Sequence, residues 1–314
     1  MKPEKRIQTT LFPGENNNQT AVQRNYKDSL FRMVFSDKKE LLVLYNAMRE
    51  SHYTDPDLLE IKTLENAIYM TIKNDLSFLI DFRLYLYEHQ SSVSPNLPLR
   101  DLFYVADQLQ ELIRKEDLYK STLVRIPTPE FVVFYNGVQK QPERKILRLS
   151  DAFIKETDAP KLELEVTVLN INVGYNQKLM DACKTLRDYS LYVEKVREFI
   201  KSMKPEAAVA KAVEECIHDD ILKDFLLSQR AEAIKVTIYE YDQAQHEETL
   251  REEGRTEGEL LKVIKLIIEK RRKQLTVPVI AEHLEEKEEF VTRVCEVIEA
   301  NPEAAAEEIL EKIN

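Results

Sequence analysis

One stretch constrains the fold more than any other: Asn74-Asp75-Leu76-Ser77-Phe78-Leu79-Ile80-Asp81-Phe82-Arg83-Leu84-Tyr85-Leu86-Tyr87-Glu88-His89-Gln90. Two β-forming apolar runs, Leu76 to Ile80 and Leu84 to Tyr87, flank a polar break at Asp81, the pattern of a β-hairpin. If Asp81 and Phe82 form a two-residue turn, Ile80 pairs with Arg83, and counting along the ladder sets Asp75 opposite Glu88. Side chains alternate across a strand, so Gln90 shares the face of Glu88 while His89 points the other way. The same register sets Lys73 opposite Gln90. A three-residue turn would shift the register by one and disperse this cluster.

Two carboxylates on an otherwise apolar sheet are costly unless a cation joins them. Oxygen ligands of this kind suit a hard divalent ion such as Mg²⁺. An acid followed a dozen residues later by Glu-x-Gln is a common arrangement, however, and taken alone the spacing more often describes a hairpin that exposes acids at a sheet end.

The surrounding blocks add to the spacing. Lys73 through Phe78, Leu86-Tyr87-Glu88-His89-Gln90-Ser91-Ser92, Pro95-Asn96-Leu97-Pro98-Leu99-Arg100 and Tyr104 follow in order. Asp28-Ser29-Leu30-Phe31-Arg32, Phe134-Tyr135-Asn136-Gly137, and Leu162 through Asn176 with its Asn170-Ile171-Asn172-Val173-Gly174 turn belong to the same set. Together they resemble the recombination-promoting nuclease (Rpn, YhgA-like) transposase family of the PD-(D/E)XK nuclease superfamily, over residues 24 to 258. The word transposase labels genetic context, and nothing in the chain points to transposition chemistry.

The resemblance implies an α/β fold, a restriction-endonuclease-like mixed β-sheet core flanked by helices, followed by an all-helical C-terminal region. It implies a metal-dependent DNA endonuclease using Mg²⁺ or Mn²⁺, with DNA as partner. Asp75 and Glu88 would hold the ion, and the backbone carbonyl of His89 could add a ligand. Gln90 stands where the superfamily usually has lysine; a neutral amide positions water but supplies no charge, and strand register makes Lys73 a candidate for the missing cation. Arg100 and Tyr104 recur together in the family and are expected at a phosphate or beside Glu88. In the superfamily the first helix can add an acid to the metal site, which makes Asp28 and Glu40 secondary candidates, although a helix-end or surface acid is the plainer reading of each. The competing reading is a catalytically inactive nuclease-fold protein that acts as a protein-interaction module.

Composition narrows the classes. The net charge is −11, which argues against a large nucleic-acid footprint but leaves room for a local basic groove. With 5 glycines there is no phosphate-cradling loop, nucleophile elbow or dinucleotide fingerprint. Cys183, Cys216 and Cys295 are dispersed in helix-like sequence and read as reduced core residues. No apolar run has the length of a membrane span, and the N-terminus lacks a signal-peptide stretch, so a soluble cytoplasmic protein is expected.

In order, residues 1–26 read as a mobile tail, 27–204 as the nuclease-like domain, 205–258 as a helical extension and charged segment, and 259–314 as a C-terminal helical module. Residues 28 to 48 suggest two short helices with a break near Ser36 and a capping box from Asp37 to Glu40. Residues 67–73 lean towards β and complete a three-stranded meander with the hairpin. Pro98 opens a helix whose expected core face is Leu99, Leu102, Phe103, Ala106, Leu109 and Ile113. Phe131 to Tyr135 reads as a buried strand, and Leu162 to Val168 as an outer strand with Glu163 and Glu165 in solvent. Tyr175 to Met203 reads as one long helix, and 206 to 250 as two. Lys270-Arg271-Arg272-Lys273 is the sharpest basic cluster, suited to a DNA backbone or to a solvated helix end. The C-terminal helices are candidates for self-association as a homo-oligomer.

Overall fold

The structure, a computed structural model, describes residues 27–62, 72–73, 75–92, 94–301 and 304–313, with the backbone course alone for 27–28, 72–73, 75 and 243–254. The expected tail at 1–26 and the 67–71 part of the β-leaning run lie outside the described residues. The chain divides into two compact units between Val236 and Thr237.

The first unit is α/β. It begins with β1 (Lys27–Asp28), α1 (Leu30–Phe35), α2 (Lys38–Arg49), β2 (Glu60–Ile61), β3 (Ile72–Lys73), β4 (Asp75–Ile80) and β5 (Arg83–Gln90). It continues with α3 (Leu97–Leu112), β6 (Thr128–Tyr135), β7 (Arg144–Arg148), β8 (Glu165–Asn170), α4 (Gln177–Ala182), α5 (Lys184–Ile200), α6 (Pro205–His218) and α7 (Lys223–Ser228). α8 (Arg230–Arg272) starts here and runs on into the second unit.

Six strands form a mixed sheet in the order β2-β4-β5-β6-β8-β7. β2, β4 and β5 are antiparallel neighbours, β5, β6 and β8 are parallel, and β7 returns antiparallel at the edge. The parallel step from β5 to β6 needs a crossover, which α3 supplies. β5 is buried along nearly its whole length because helices cover both faces. Leu84 and Leu86 pack with Phe131, Val133, Val168 and, from α3, Leu97 and Val105. On the opposite face Tyr85, Tyr87 and His89 join an aromatic layer with Phe31, Phe78, Phe134 and Tyr189.

Several local expectations hold. α1 and α2 break at Ser36, and Asp37 caps α2 by accepting from the Lys39 N–H at 2.7 Å. The capping box is incomplete, because Glu40 instead accepts from the Thr185 hydroxyl on α5. All three cysteines are buried and reduced, and burial pushes the Cys183 thiol up to about 11.

Others need correction. The third strand of the antiparallel meander is β2, whereas the described end of the 67–73 run, β3, pairs parallel with β1. The expected long helix is broken at Cys183, whose backbone turns extended (φ −129°, ψ 92°) as its side chain enters the core. Residues 206–250 hold α6, α7 and the start of α8, three helices rather than two, and the charged segment at 247–258 is the middle of α8. β8 lies inside the sheet between β6 and β7, and not at its outer edge. The core face of α3 is rotated from the expected one: Leu102 and Leu109 do pack against the core, but Leu99 and Phe103 are 40% and 52% exposed, while Leu97, Asp101, Val105 and Gln108 are buried.

The described residues of the second unit form helices and the turns between them. The end of α8 packs Ile264 and Ile267 against Ile280 of α9 (Val277–Leu284), Val291 and Val294 of α10 (Glu288–Ala300), and Ile309 and Leu310 of α11 (Ala306–Ile313). Among the described residues of this unit no large apolar side chain is exposed. No helix among the described residues is long and apolar enough to cross a membrane.

Candidate functional site

The site begins with the hairpin turn. Asp81 and Phe82 both adopt left-handed backbone, φ 49° and 57°, the two-residue turn whose twist matches that of the flanking strands. The ladder then runs from Ile80↔Arg83 to Asp75↔Glu88. Arg83 ties the turn end to β6 through Glu130, and the Thr128 N–H donates to the Phe82 carbonyl at 3.1 Å. A turn of fixed length therefore sets Asp75 and Glu88 opposite each other.

Glu88 is 6% exposed. Its Oε1 accepts from Gln90 Nε2 at 2.7 Å and from Arg100 Nη2 at 2.5 Å, while Oε2 has no partner among the described residues. Gln90 is also buried, and its Oε1 has no hydrogen-bond partner among the described residues. A buried carboxylate is tolerated only when its charge is met, and the guanidinium of Arg100 meets it here.

α3 delivers that guanidinium. Pro98 occupies its first turn without loss of an intrahelical bond, and Leu97 and Pro98 are buried. Arg100 follows in the same turn, with its N–H on the Asn96 carbonyl at 3.1 Å. Two turns further on, Gln108 is buried; its Oε1 accepts from Ser77 Oγ at 3.0 Å and its Nε2 donates to the Lys62 carbonyl at 2.6 Å. The helix is thus pinned to β5 at Glu88 and to β4 two residues from Asp75. Tyr104, between Arg100 and Gln108 on this helix, is part of the packing on this face of the sheet.

His89 faces the other layer, as strand alternation requires. Its ring stacks on Phe31 with centroids 5.3 Å apart, and its Nε2 lies 3.1 Å from the Tyr189 hydroxyl. Burial, aided by the Arg197 charge, lowers its pKa to about 3, so the imidazole is neutral. Only its main chain is available to the Glu88 side.

The remaining candidates separate. The Lys73–Gln90 pair is not among the described cross-strand pairs; Lys73 is paired with Asp28 in the short parallel ladder, and Gln90 with Tyr135 of β6. Glu40 is engaged with Thr185. Glu165 pairs with Arg148 at 2.9 Å, and Glu163 accepts from Ser150 Oγ at 2.6 Å, a bond that lowers its pKa. In the basic cluster, Arg271 bonds Glu299 and the Leu275 carbonyl, and Lys270 Nζ lies 3.4 Å from His283 Nδ1, so part of it is spent inside the helical unit.

Sequence reasoning missed a second polar group at the ends of β6 and β8. Arg197 of α5 donates to Asn136 Oδ1 at 2.9 Å, to Asn172 Oδ1 at 3.1 Å and to the Asn136 carbonyl. The asparagines were legible only as turn residues, because nothing local announces a partner 61 positions away.

Charge is unevenly shared. Residues 237–314 hold 20 Asp and Glu against 11 Lys and Arg, a net of −9, which leaves −2 for the sheet unit. Comparison with protein-family models, with curated proteins and with solved structures finds no match for this chain.

Proposed function

We propose that the chain is a Mg²⁺- or Mn²⁺-dependent DNA endonuclease of the recombination-promoting nuclease type, with the β-sheet unit as its restriction-endonuclease-like core. The observation that carries the reading is the pairing of Asp75 with Glu88 across the hairpin, beside the buried Gln90. The sheet order supports it too, since an antiparallel β2-β4-β5 set followed by a helical crossover to parallel β6 suits such a core. The donors fit a hard cation: a Glu88 Oε2 without a described partner and a buried Gln90 Oε1 without one are oxygen atoms that an ion or its water would satisfy.

Asp75 and Glu88 would hold the ion, with the His89 carbonyl as a further ligand. The ion supplies an acidified water and charge neutralisation at the phosphate. The chain's own residues supply the rest. Gln90 orients Glu88 and positions the attacking water by hydrogen bonding, without lowering its pKa by charge. Arg100 brings a fixed positive charge to the developing negative charge on the phosphoryl oxygens. Tyr104 is the further candidate for a phosphate contact from α3. Lys73, two residues before Asp75, is the candidate for an additional cation from the neighbouring strand.

Supercoiled plasmid incubated with Mg²⁺, Mn²⁺, Ca²⁺ or EDTA tests the reading, with wild type beside Asp75→Ala and Glu88→Ala. Cleavage in Mg²⁺ or Mn²⁺ that both substitutions abolish is the expected result. Persistence of cleavage in either variant removes the site, and absence of both cleavage and ion binding in the wild type removes the reading. The acid surplus after residue 236 favours one second reading, a nuclease-fold protein that binds other proteins, and that reading gains if no ion binds.

A further inference from the structure

We infer that Arg100 is an exchangeable counter-ion: it neutralises Glu88 while no metal is bound, competes with the metal for that carboxylate, and passes to a DNA phosphate when it is displaced. The inference rests on the metal-site reading above and adds a role that the reading does not contain.

Three features of Arg100 carry it. First, its Nη2 lies 2.5 Å from Glu88 Oε1, the same oxygen that Gln90 Nε2 approaches at 2.7 Å. A carboxylate whose one oxygen already accepts two hydrogen bonds, one of them from a full positive charge, has its charge neutralised and is a weaker cation ligand through Oε2 as well, until that charged donor leaves. Second, the two groups differ in burial: the Glu88 side chain is 8% exposed and the Arg100 side chain 38%. The carboxylate is therefore fixed in the sheet, while the guanidinium sits at the rim and reaches water on leaving. Third, that single ion pair is the one bond recorded for the guanidinium among the described residues, so the rest of its fork remains for a second acceptor. Its place in the first turn of α3 adds the positive end of a helix, which favours an anion as that acceptor.

Exchange also solves a charge problem. Without a metal, Glu88 needs a cation to be buried. With a metal on Oε2, a guanidinium held on Oε1 would set two cations on one carboxylate. The same repulsion directs the released Arg100 towards the phosphate that accompanies the metal. Gln90 keeps its bond to Glu88 throughout, because an amide carries no charge to be repelled.

The test separates ion binding from DNA binding, so that a damaged fold cannot imitate the result. Ca²⁺ and Mn²⁺ are titrated calorimetrically into wild type, Arg100→Gln, Arg100→Lys and Glu88→Gln without DNA. Binding of a labelled duplex is then measured by anisotropy in Ca²⁺. Removing the competitor tightens ion binding in Arg100→Gln by roughly tenfold and weakens duplex binding by a similar factor. Arg100→Lys falls between the two, as a point charge lacking the fork. Opposite signs in the two assays are the signature, since a merely structural loss weakens both.

Equal or weaker ion binding in Arg100→Gln, with wild type binding normally and Glu88→Gln not at all, overturns the exchange and leaves the metal site standing. Ion binding by Arg100→Gln alone supports the exchange in its strongest form. Failure of both wild type and Arg100→Gln to bind any ion overturns the exchange and the metal reading together.

Discussion

Gly137 lies directly against the main-chain carbonyl of Ser91, so close that a Cβ at position 137 would overlap that oxygen and the ring of Tyr135. The ends of β5 and β6 are drawn together here, next to the Asn136 N–H that donates to the Gln90 carbonyl at 2.9 Å. Gly137→Ala cannot be absorbed by a flexible side chain, because the obstacle is backbone. The expected cost is at least about 2 kcal/mol, measured by urea unfolding. Gly258 is the control: it is helical, and an added Cβ meets nothing within 4 Å. Gly258→Ala gains about 1 kcal/mol of local helix stability.

Asp81 and Phe82 carry their left-handed backbone without glycine, and the Phe82 ring is 92% exposed. Replacing the pair with Asn-Gly keeps the turn length and removes strain. Thermal melting is expected to rise by the equivalent of about 1 kcal/mol. Inserting one residue between them has a different outcome: ion binding measured by calorimetry is lost, because the slip moves Glu88 to the aromatic layer and His89 to its place.

The buried His89 imposes a pH dependence with a defined sign. Its folded pKa is about 3 and its ordinary value 6.5, so between these limits the unfolded chain binds a proton that the folded chain refuses. Stability from this residue is complete above pH 6.5 and declines as pH falls, with a limiting slope of about 1.4 kcal/mol per pH unit. Urea unfolding at pH 5 and pH 7 reads it, and in His89→Gln this part of the difference disappears.

Gln108 joins Ser77 of β4 to the Lys62 carbonyl from within the sheet–helix interface. Gln108→Leu preserves size but removes the acceptor of the Ser77 hydroxyl and the donor to the Lys62 carbonyl, at an expected cost of about 2 kcal/mol in urea unfolding. Because the same helix carries Arg100, the substitution also loosens the Arg100–Glu88 pair, which a weaker coupling in a double-mutant cycle would reveal.

The hairpin was legible because two local signals agreed: alternation fixed the faces, and the polar break at Asp81 fixed the turn length. α3 was legible as a helix but not in its orientation. Counting apolar residues found Leu102 and Leu109, which pack on the core, but it also drew in Leu99, Phe103 and Ala106, whereas the helix buries Asp101 and Gln108 and turns Arg100 towards Glu88. Periodicity cannot see that a polar side chain has a partner on the sheet, and such partners decide the rotation. β2 escaped because two residues, Glu60 and Ile61, are too few to show a pattern. The Arg197–Asn136–Asn172 cluster escaped for a related reason: its members are joined only by the packing of α5 against the strand ends.

The uneven charge separates the molecule's long-range behaviour from its short-range chemistry. With a net −9 of the total −11 carried after residue 236, the isoelectric point of 5.2 is set largely by the second unit. Repulsion of other polyanions, and the colloidal stability that comes with it, originate chiefly there. At physiological salt such repulsion fades within about 8 Å. An isoelectric point taken on the whole chain therefore blends a unit carrying −9 with one carrying −2, and is a poor guide to the charge of the sheet unit itself.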